Sequence, residues 1–110
     1  MTVQDQRDFE ITASVNFPTL ERHELEEFAA KLSSAVREVV SDYPSVAAFL
    51  VAPDMGTGDI AYGLRFKGAD PRYINDMADE ILDKSVELVA EREGSSPIEA
   101  EREESVLVLA

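Results

Sequence analysis

The chain has 110 residues, of which 45% are hydrophobic and 30% charged, and this predicts one ordinary globular domain spanning residues 1–110. Twenty-three acids against ten bases give a net charge of −13, which repels nucleic-acid phosphates and anionic membrane surfaces. The lack of cysteine excludes disulfides, thiolate nucleophiles and cysteine-type metal sites. No apolar run approaches the length of a membrane span, so we expect a cytoplasmic protein whose residues 1–8 are flexible.

The first two predicted elements are a strand and a helix. Apolar and polar side chains alternate over residues 9–17, which is the period of a strand with one buried face. Pro18 ends this strand, and apolar residues at three- and four-residue spacing over 25–40 then predict an amphipathic helix. The helix ends before Tyr43, because Pro44 disfavours helical geometry at that residue.

Two further strands are predicted on either side of a turn. Residues 46–52 are apolar throughout, so their strand either is covered on both faces or exposes Phe49 and Val51 on one of them. Residues 53–59 have the composition of a turn, and residues 60–67 alternate between large apolar residues and small or basic ones. The two strands therefore form a predicted β-hairpin.

A second helix is predicted to begin at Asp70 and Pro71, a cap residue followed by a first-turn proline, and to end at Gly94. Residues 96–104 begin with a capping-box pattern, which indicates either a short third helix or irregular chain. Residues 105–110 contain the apolar run Val106, Leu107, Val108 and Leu109, which is short and β-branched enough to favour a last strand.

The predicted elements repeat a β-α-β unit twice in succession. This order predicts an α+β domain of ferredoxin-like βαββαβ topology. Right-handed crossovers place both helices on one face of a four-stranded antiparallel sheet, with the first and third strands in the centre. The other face of the sheet is left open. We expect that face to have a small, polar middle and apolar margins.

The open face carries the residues that we predict to form an interface. Gly63 lies in the middle of a central strand, where glycine indicates a bulge, a close approach by a backbone or ligand, or simple tolerance. Adjacent exposed apolar side chains commonly mark an interface, and an edge strand invites pairing across a two-fold axis. The predicted interface residues are Phe49, Val51, Gly63, Val106 and Val108.

Two sets of charged residues are the other candidate sites. Five acids, three or four residues apart on the second helix, form one stripe, which is either an ordinary solvated face or a docking surface for a basic protein. Arg65 and Lys67 are the basic pair on the open face and are candidate contacts for an anion. The acidic stripe consists of Asp76, Glu80, Asp83, Glu87 and Glu91.

The sequence offers no evident catalytic site. His23 is the only histidine, which excludes a two-histidine metal site within one chain, and it lies between Arg22 and Glu24 on the polar side of the first helix, where we expect a solvated residue. We therefore expect no catalytic residues, no metal and no cofactor. The leading hypothesis is a non-enzymatic module that forms a homodimer through its open sheet face or an edge strand. The alternatives are an acidic inhibitor that imitates DNA charge and binds a basic host protein, and a small-ligand regulatory domain.

Overall fold

The computed structural model describes residues 8–109, apart from the side chain of Glu104. The segment predicted to be flexible, residues 1–8, lies outside this range except for its last residue. Short 3-10 turns at Arg22–Glu24 and Val40–Asp42 flank the first helix. The elements in chain order are β1 (Phe9–Asn16), α1 (Leu25–Val39), β2 (Val46–Asp54), β3 (Asp59–Phe66), α2 (Pro71–Glu93) and β4 (Glu101–Leu109).

The four strands form one sheet of order β2-β3-β1-β4, in which every neighbouring pair is antiparallel. This is the predicted ferredoxin-like βαββαβ arrangement, with β1 and β3 in the centre and β2 and β4 at the edges. Both helices pack on one face, called here the helix face, and the opposite face is the open face. The α+β prediction is confirmed. Within residues 8–109, neither helix combines the length and apolarity needed to cross a membrane.

The core lies between the helices and the helix face of the sheet. Alternate residues of the two central strands point into it and pair across the strands, Ile11 opposite Leu64 and Ala13 opposite Tyr62. A slip of one residue would turn all of these side chains to solvent, so burial determines the register. The largest helical contributions to the core come from Leu25, Leu32 and Val36 of α1 and from Ile74, Ile81 and Leu82 of α2.

Helix α2 begins and ends at the predicted residues. The side chain of Asp70 accepts a hydrogen bond of 3.0 Å from the backbone N–H of Arg72, and Pro71 is the first helical residue. At the other end Gly94 has a φ of 67°, the left-handed conformation that favours glycine, and its N–H donates to the carbonyl of Glu91. Local sequence therefore determines both ends of this helix.

The segment after α2 corrects one prediction and extends another. No third helix forms in residues 96–104, because residues 96–100 have no regular structure and β4 already begins at Glu101. The reason is tertiary: β1 offers an unpaired edge, and β4 pairs with it through a register shift between Ser14 and Val15. Strand pairing satisfies the backbone groups of both segments and prevails over the local helical preference.

Strand β4 is the strand that the helices cover least. Helix α1 packs against β2, and α2 packs against β1. Arg102 links β4 to α2: its Nη1 lies 2.8 Å from the carboxylate of Asp79, and its Nη2 lies 3.4 Å from Oδ1 of Asn75. The contact with Asp79 is an ion pair without the geometry of a hydrogen bond. Further along β4, towards Leu109, the helix face is exposed.

Candidate interaction surface

The open face has a small and polar middle, as predicted. Thr12 lies opposite Gly63, and Ser14 lies opposite Ala61. A shallow depression of about 190 Å³ lies over Gly63 and is bounded on the β2 side by Leu50. The middle of this face therefore offers few apolar side chains to a partner.

Strand β2 presents the opposite faces from those predicted. Phe49 lies opposite Leu64 and Val51 lies opposite Tyr62, so both point towards the helices and pack partly buried against the core. The residue between them, Leu50, points to the open face and is 54% exposed. The prediction that Phe49 and Val51 lie on the open face is therefore wrong. An all-apolar strand has no alternation, so its sequence does not indicate which face is buried.

The other three predicted interface residues lie on the open face. Val106 lies opposite Thr12, Val108 is the next open-face residue of β4, and both valines are about half exposed. Gly63 lies in the same row across the sheet as Leu50 and Val106. A methyl group added at Gly63 would lie 3.5 Å from Thr12 and 3.6 Å from Leu50, which is ordinary contact. No close backbone approach within the domain requires this glycine.

Strand β4 is apolar on both faces over residues 106–109. Leu107 lies opposite Ile11 and Leu109 lies opposite Phe9, on the helix face. The two leucines are nevertheless 36% and 56% exposed, because α2 does not cover them. Sequence reasoning assigned only one face of this strand to an interface. The signal that was missed is the run of four consecutive apolar residues on an edge strand. Such a run places apolar side chains on both faces, and neither helix covers the helix face of this strand at these residues.

A buried carboxylate holds the end of the open face nearest the β2–β3 turn. Asp59 is 8% exposed and accepts hydrogen bonds from Ser14 Oγ at 3.0 Å and from Asn16 Nδ2 at 2.8 Å. These bonds tie β1 to β3 and satisfy a charge that would be costly to bury alone. The sequence did not reveal this network, because its members lie 45 and 43 residues apart along the chain.

The acidic stripe of α2 is exposed along its whole length, as is typical of a solvated helix face. Glu80 pairs with Lys84 over 2.9 Å, and a hydrogen bond from Lys84 holds the pKa of Glu80 below its usual range. Lys84 also donates a hydrogen bond of 2.9 Å to the hydroxyl of Tyr43, which ties the stripe to the end of α1. The exposed members of the stripe are Asp76, Glu80, Asp83, Glu87 and Glu91.

The predicted anion contacts, Arg65 and Lys67, are both exposed. Arg65 lies directly opposite Glu10 in the strand register, so a carboxylate offsets part of the positive charge that an anion would meet. Lys67 directly follows β3, and its backbone N–H donates to the carbonyl of Ser45 at 2.7 Å. The two side chains form part of a mixed-charge region rather than an isolated cationic site.

One group of metal-ligand residue types forms just before α1. Glu21, His23 and Glu24 each place one candidate ligand atom within 4.8 Å of the others, and all three are exposed. His23 Nδ1 lies 3.3 Å from Glu21, and the carboxylate of Glu24 accepts a hydrogen bond of 3.1 Å from the backbone N–H of Glu21. The last contact is that of a helix cap, so Glu21 and Glu24 have a structural role at the start of the 3-10 turn that precedes α1.

No family model matches this chain, and no curated protein is similar to it in sequence. Among solved structures, TA0507, a protein assigned as a chlorite dismutase, is 15% identical with a TM-score of 0.55. The match covers 92% of this chain but 42% of TA0507, so this chain spans less than half of that protein's length.

Two other solved structures are more distant. The uncharacterized protein TM1266 from Thermotoga maritima is 11% identical with a TM-score of 0.38, over 94% of this chain and 99% of that chain. The C-terminal domain of the MgtC protein from Mycobacterium tuberculosis is 10% identical with a TM-score of 0.40, over 100% of this chain and 94% of that chain. The likeness to TA0507 is one of fold alone, and it agrees with the α+β architecture described above.

Proposed function

We propose that this protein is a non-enzymatic interaction module that self-associates as a homodimer through its exposed apolar surface. One observation carries the proposal: of the seven large apolar side chains exposed within residues 8–109, four are consecutive on β4. Single exposed apolar residues are ordinary, whereas a contiguous patch at a sheet edge commonly marks an interface. The surface consists of Val106, Leu107, Val108 and Leu109.

The distribution of charge supports a contact at this surface. A net charge of −13 opposes association between two copies unless their contact avoids the acidic regions. The acidic stripe lies on the exposed side of α2, whereas residues 105–109 contain no charged side chain. Two copies can therefore meet through the end of β4 while both stripes stay solvated. A cytoplasmic location stays a prediction.

Light scattering after gel filtration tests the proposal. We expect a mass near twice that of one chain at tens of micromolar, and a strict monomer there contradicts self-association. The double variant Val106→Asp, Val108→Asp should restore the monomer, because it places two charges in the apolar patch. The matched control is Met55→Asp, an exposed apolar residue in the β2–β3 turn, which should leave the mass unchanged.

A second candidate function is docking of a basic protein on the acidic stripe, either as a binding partner or as a protein displaced from DNA. The exposure of all five acids supports it, since a solvated row of like charges can steer a basic partner. Affinity capture from lysate at low and high salt tests it, with the variant Asp83→Lys, Glu87→Lys as the control. A partner that the variant retains, or that salt does not release, contradicts docking at this stripe.

A third candidate is a small-ligand regulatory domain, supported by the depression over Gly63 beside Arg65. Because Glu10 lies opposite Arg65, a ligand that carries both a positive and a negative charge fits this depression better than a simple anion. A panel of metabolites in a thermal-shift assay tests the idea, with Arg65→Gln as the control. If no compound shifts the unfolding temperature of the original protein, this candidate is removed.

A further inference from the structure

The edge of β4 lacks the features that usually protect an exposed strand edge. Proteins blunt such edges with proline, lysine, inward charges, bulges or a covering helix. Residues 105–109 contain no proline and no charged residue, and the register shift in the β1–β4 pair lies further back, at Ser14 and Val15. Their helix face is uncovered as well, because α2 reaches β4 at Arg102. This segment is therefore an open template for another strand.

We propose that residues 105–109 pair antiparallel with the same segment of a second copy, which joins the two sheets into one sheet of eight strands. The inference rests on the proposed function, self-association, and adds where and how the copies meet. A two-fold axis perpendicular to the sheet puts the open faces of both copies on one side of the joined sheet. A residue of β4 must therefore pair with a residue from the same face of the partner's β4. A register centred on Leu107 satisfies this, with Val106 opposite the partner's Val108.

The chemistry of the segment favours a second copy over a different strand. Most strands alternate between apolar and polar residues and would match β4 on one face only. A second β4 is apolar on both faces, and the order Val106, Leu107, Val108 is symmetric about its centre. In the proposed register the acidic residues Glu101 and Glu103 lie beyond the paired segment, so like charges are not brought opposite each other.

Edge pairing accounts for more of the exposed surface than stacking of two open faces. Stacking would cover Val106 and Val108 but would leave Leu107 and Leu109 in water on the helix face. It would also press the small, polar middle of the open face, with its charged Glu10, against its own copy. Pairing at the edge gives the side chains on both faces of β4 apolar cross-strand neighbours and leaves the polar middle of the open face solvated.

Single cysteines test the geometry, because the chain has none of its own. In the proposed register, residue 107 of one copy lies directly opposite residue 107 of the second copy. Directly opposed Cβ atoms in antiparallel strands lie about 4.5–5.5 Å apart. Leu107→Cys should therefore form a covalent dimer under mild oxidation or with a short bis-maleimide. Leu50→Cys is the matched control, more exposed but on the open face of β2, and should form no covalent dimer. Cross-linking of Leu50→Cys but not Leu107→Cys overturns the inference in favour of stacked faces.

A non-covalent comparison separates this inference from the proposed function. Leu107→Lys should weaken dimerisation by about tenfold or more in sedimentation equilibrium, because two ammonium groups meet at the two-fold axis. Leu50→Lys should change it less than about twofold. If both variants still dimerise, edge pairing is wrong but the proposed self-association stands. If the unsubstituted protein is a strict monomer, both proposals are wrong. Open-ended filaments would contradict the closed pair, since they need a β4 contact with a different edge. Circular dichroism confirms that each variant is folded.

Discussion

Tyr62 connects the packing of the core to the pH dependence of stability. Its ring is 2% exposed, and its hydroxyl donates a hydrogen bond of 2.8 Å to the carbonyl of Ala78 on α2. Burial raises the pKa of Tyr62 above the ordinary tyrosine value of about 10. The folded protein therefore keeps this phenol protonated in a range where the unfolded chain ionises it. Its contribution to stability is complete below about pH 10 and declines as the pH rises further.

Replacing Tyr62 with phenylalanine should lower the free energy of unfolding by about 1 kcal/mol at neutral pH, because the buried carbonyl of Ala78 loses its side-chain donor. The same variant should show a smaller loss of stability between about pH 9 and 11 than the original protein. Urea denaturation at each pH measures both effects. The control is Tyr73→Phe, on an exposed ring of α2, which should change neither. If the stability of Tyr62→Phe falls as steeply over this pH range as that of the unsubstituted protein, Tyr62 is not the source of the decline.

Gly63 and Gly94 should respond oppositely to replacement by alanine. At Gly63 the backbone does not have a positive φ and the added methyl makes ordinary contacts, so Gly63→Ala should keep or raise stability, by up to about 1 kcal/mol. At Gly94 an added methyl meets nothing within 4 Å, yet the φ of 67° makes alanine cost about 1 kcal/mol. Urea midpoints of the two variants give the comparison. A larger loss at Gly63 would mean that this position needs glycine for a reason outside the isolated domain.

Among the elements, those with periodic sequences were predictable down to the buried face. Alternation over β1 and β3 specifies both the strand and its face, and the Asp70 cap and Gly94 stop specify the ends of α2. Residues 46–52 of β2 are all apolar, so only the pairing with β3 decides that Phe49 is covered and Leu50 is exposed. The strand itself was predictable, and its orientation was not.

The first half of β4 could not be predicted from local sequence. Residues 101–104 are rich in glutamate, which favours helix over strand when the chain is considered alone. Their strand conformation depends on pairing with β1, and Arg102 depends on Asp79 of α2 for a counter-charge. Both contacts join parts of the chain that are distant in sequence. The candidate site was therefore only half predicted, with Val106 and Val108 found and the helix-face leucines missed.

Arg102→Met should loosen β4 without unfolding the domain. The side chain of Arg102 is 17% exposed and gives β4 its ionic contact with Asp79, so its loss should lower stability by about 1 kcal/mol and speed amide exchange in β4. Hydrogen exchange at low protein concentration measures this directly. Arg65→Met, on an exposed arginine of β3, is the matched control and should leave β4 unchanged. Equal exchange rates in the two variants contradict a role for Arg102 in holding this strand.

For the whole molecule, charge and apolar surface are separated. The acidic stripe occupies α2, while the exposed apolar side chains are concentrated at the end of β4. In the proposed dimer, two copies repel each other through their net charge of −13 and attract through residues 105–109, which carry no charged side chain. This division makes the response to salt informative, because screening weakens the repulsion and leaves the apolar contact in place.

Salt should strengthen self-association. Raising the salt concentration from about 0.1 to 1 M shortens the Debye length from about 10 to 3 Å, which should increase the dimer affinity several-fold. Sedimentation equilibrium over this range measures the change, and a non-ionic osmolyte at matched osmolality is the control. High salt should instead weaken the binding of a basic protein to the acidic stripe. A dimer that dissociates in high salt would mean that ion pairs, not β4, hold the copies together.

Amide hydrogen exchange as a function of protein concentration tests most directly whether the copies meet at the edge of β4. The outward-pointing amides within residues 105–109 should become protected as the concentration rises through the dimer transition, because they gain partners on the second copy. The free-edge amides of β2, around Leu50, should exchange at the same rate throughout. Protection that appears in β2 instead, or exchange in β4 that is independent of concentration, would contradict pairing through β4.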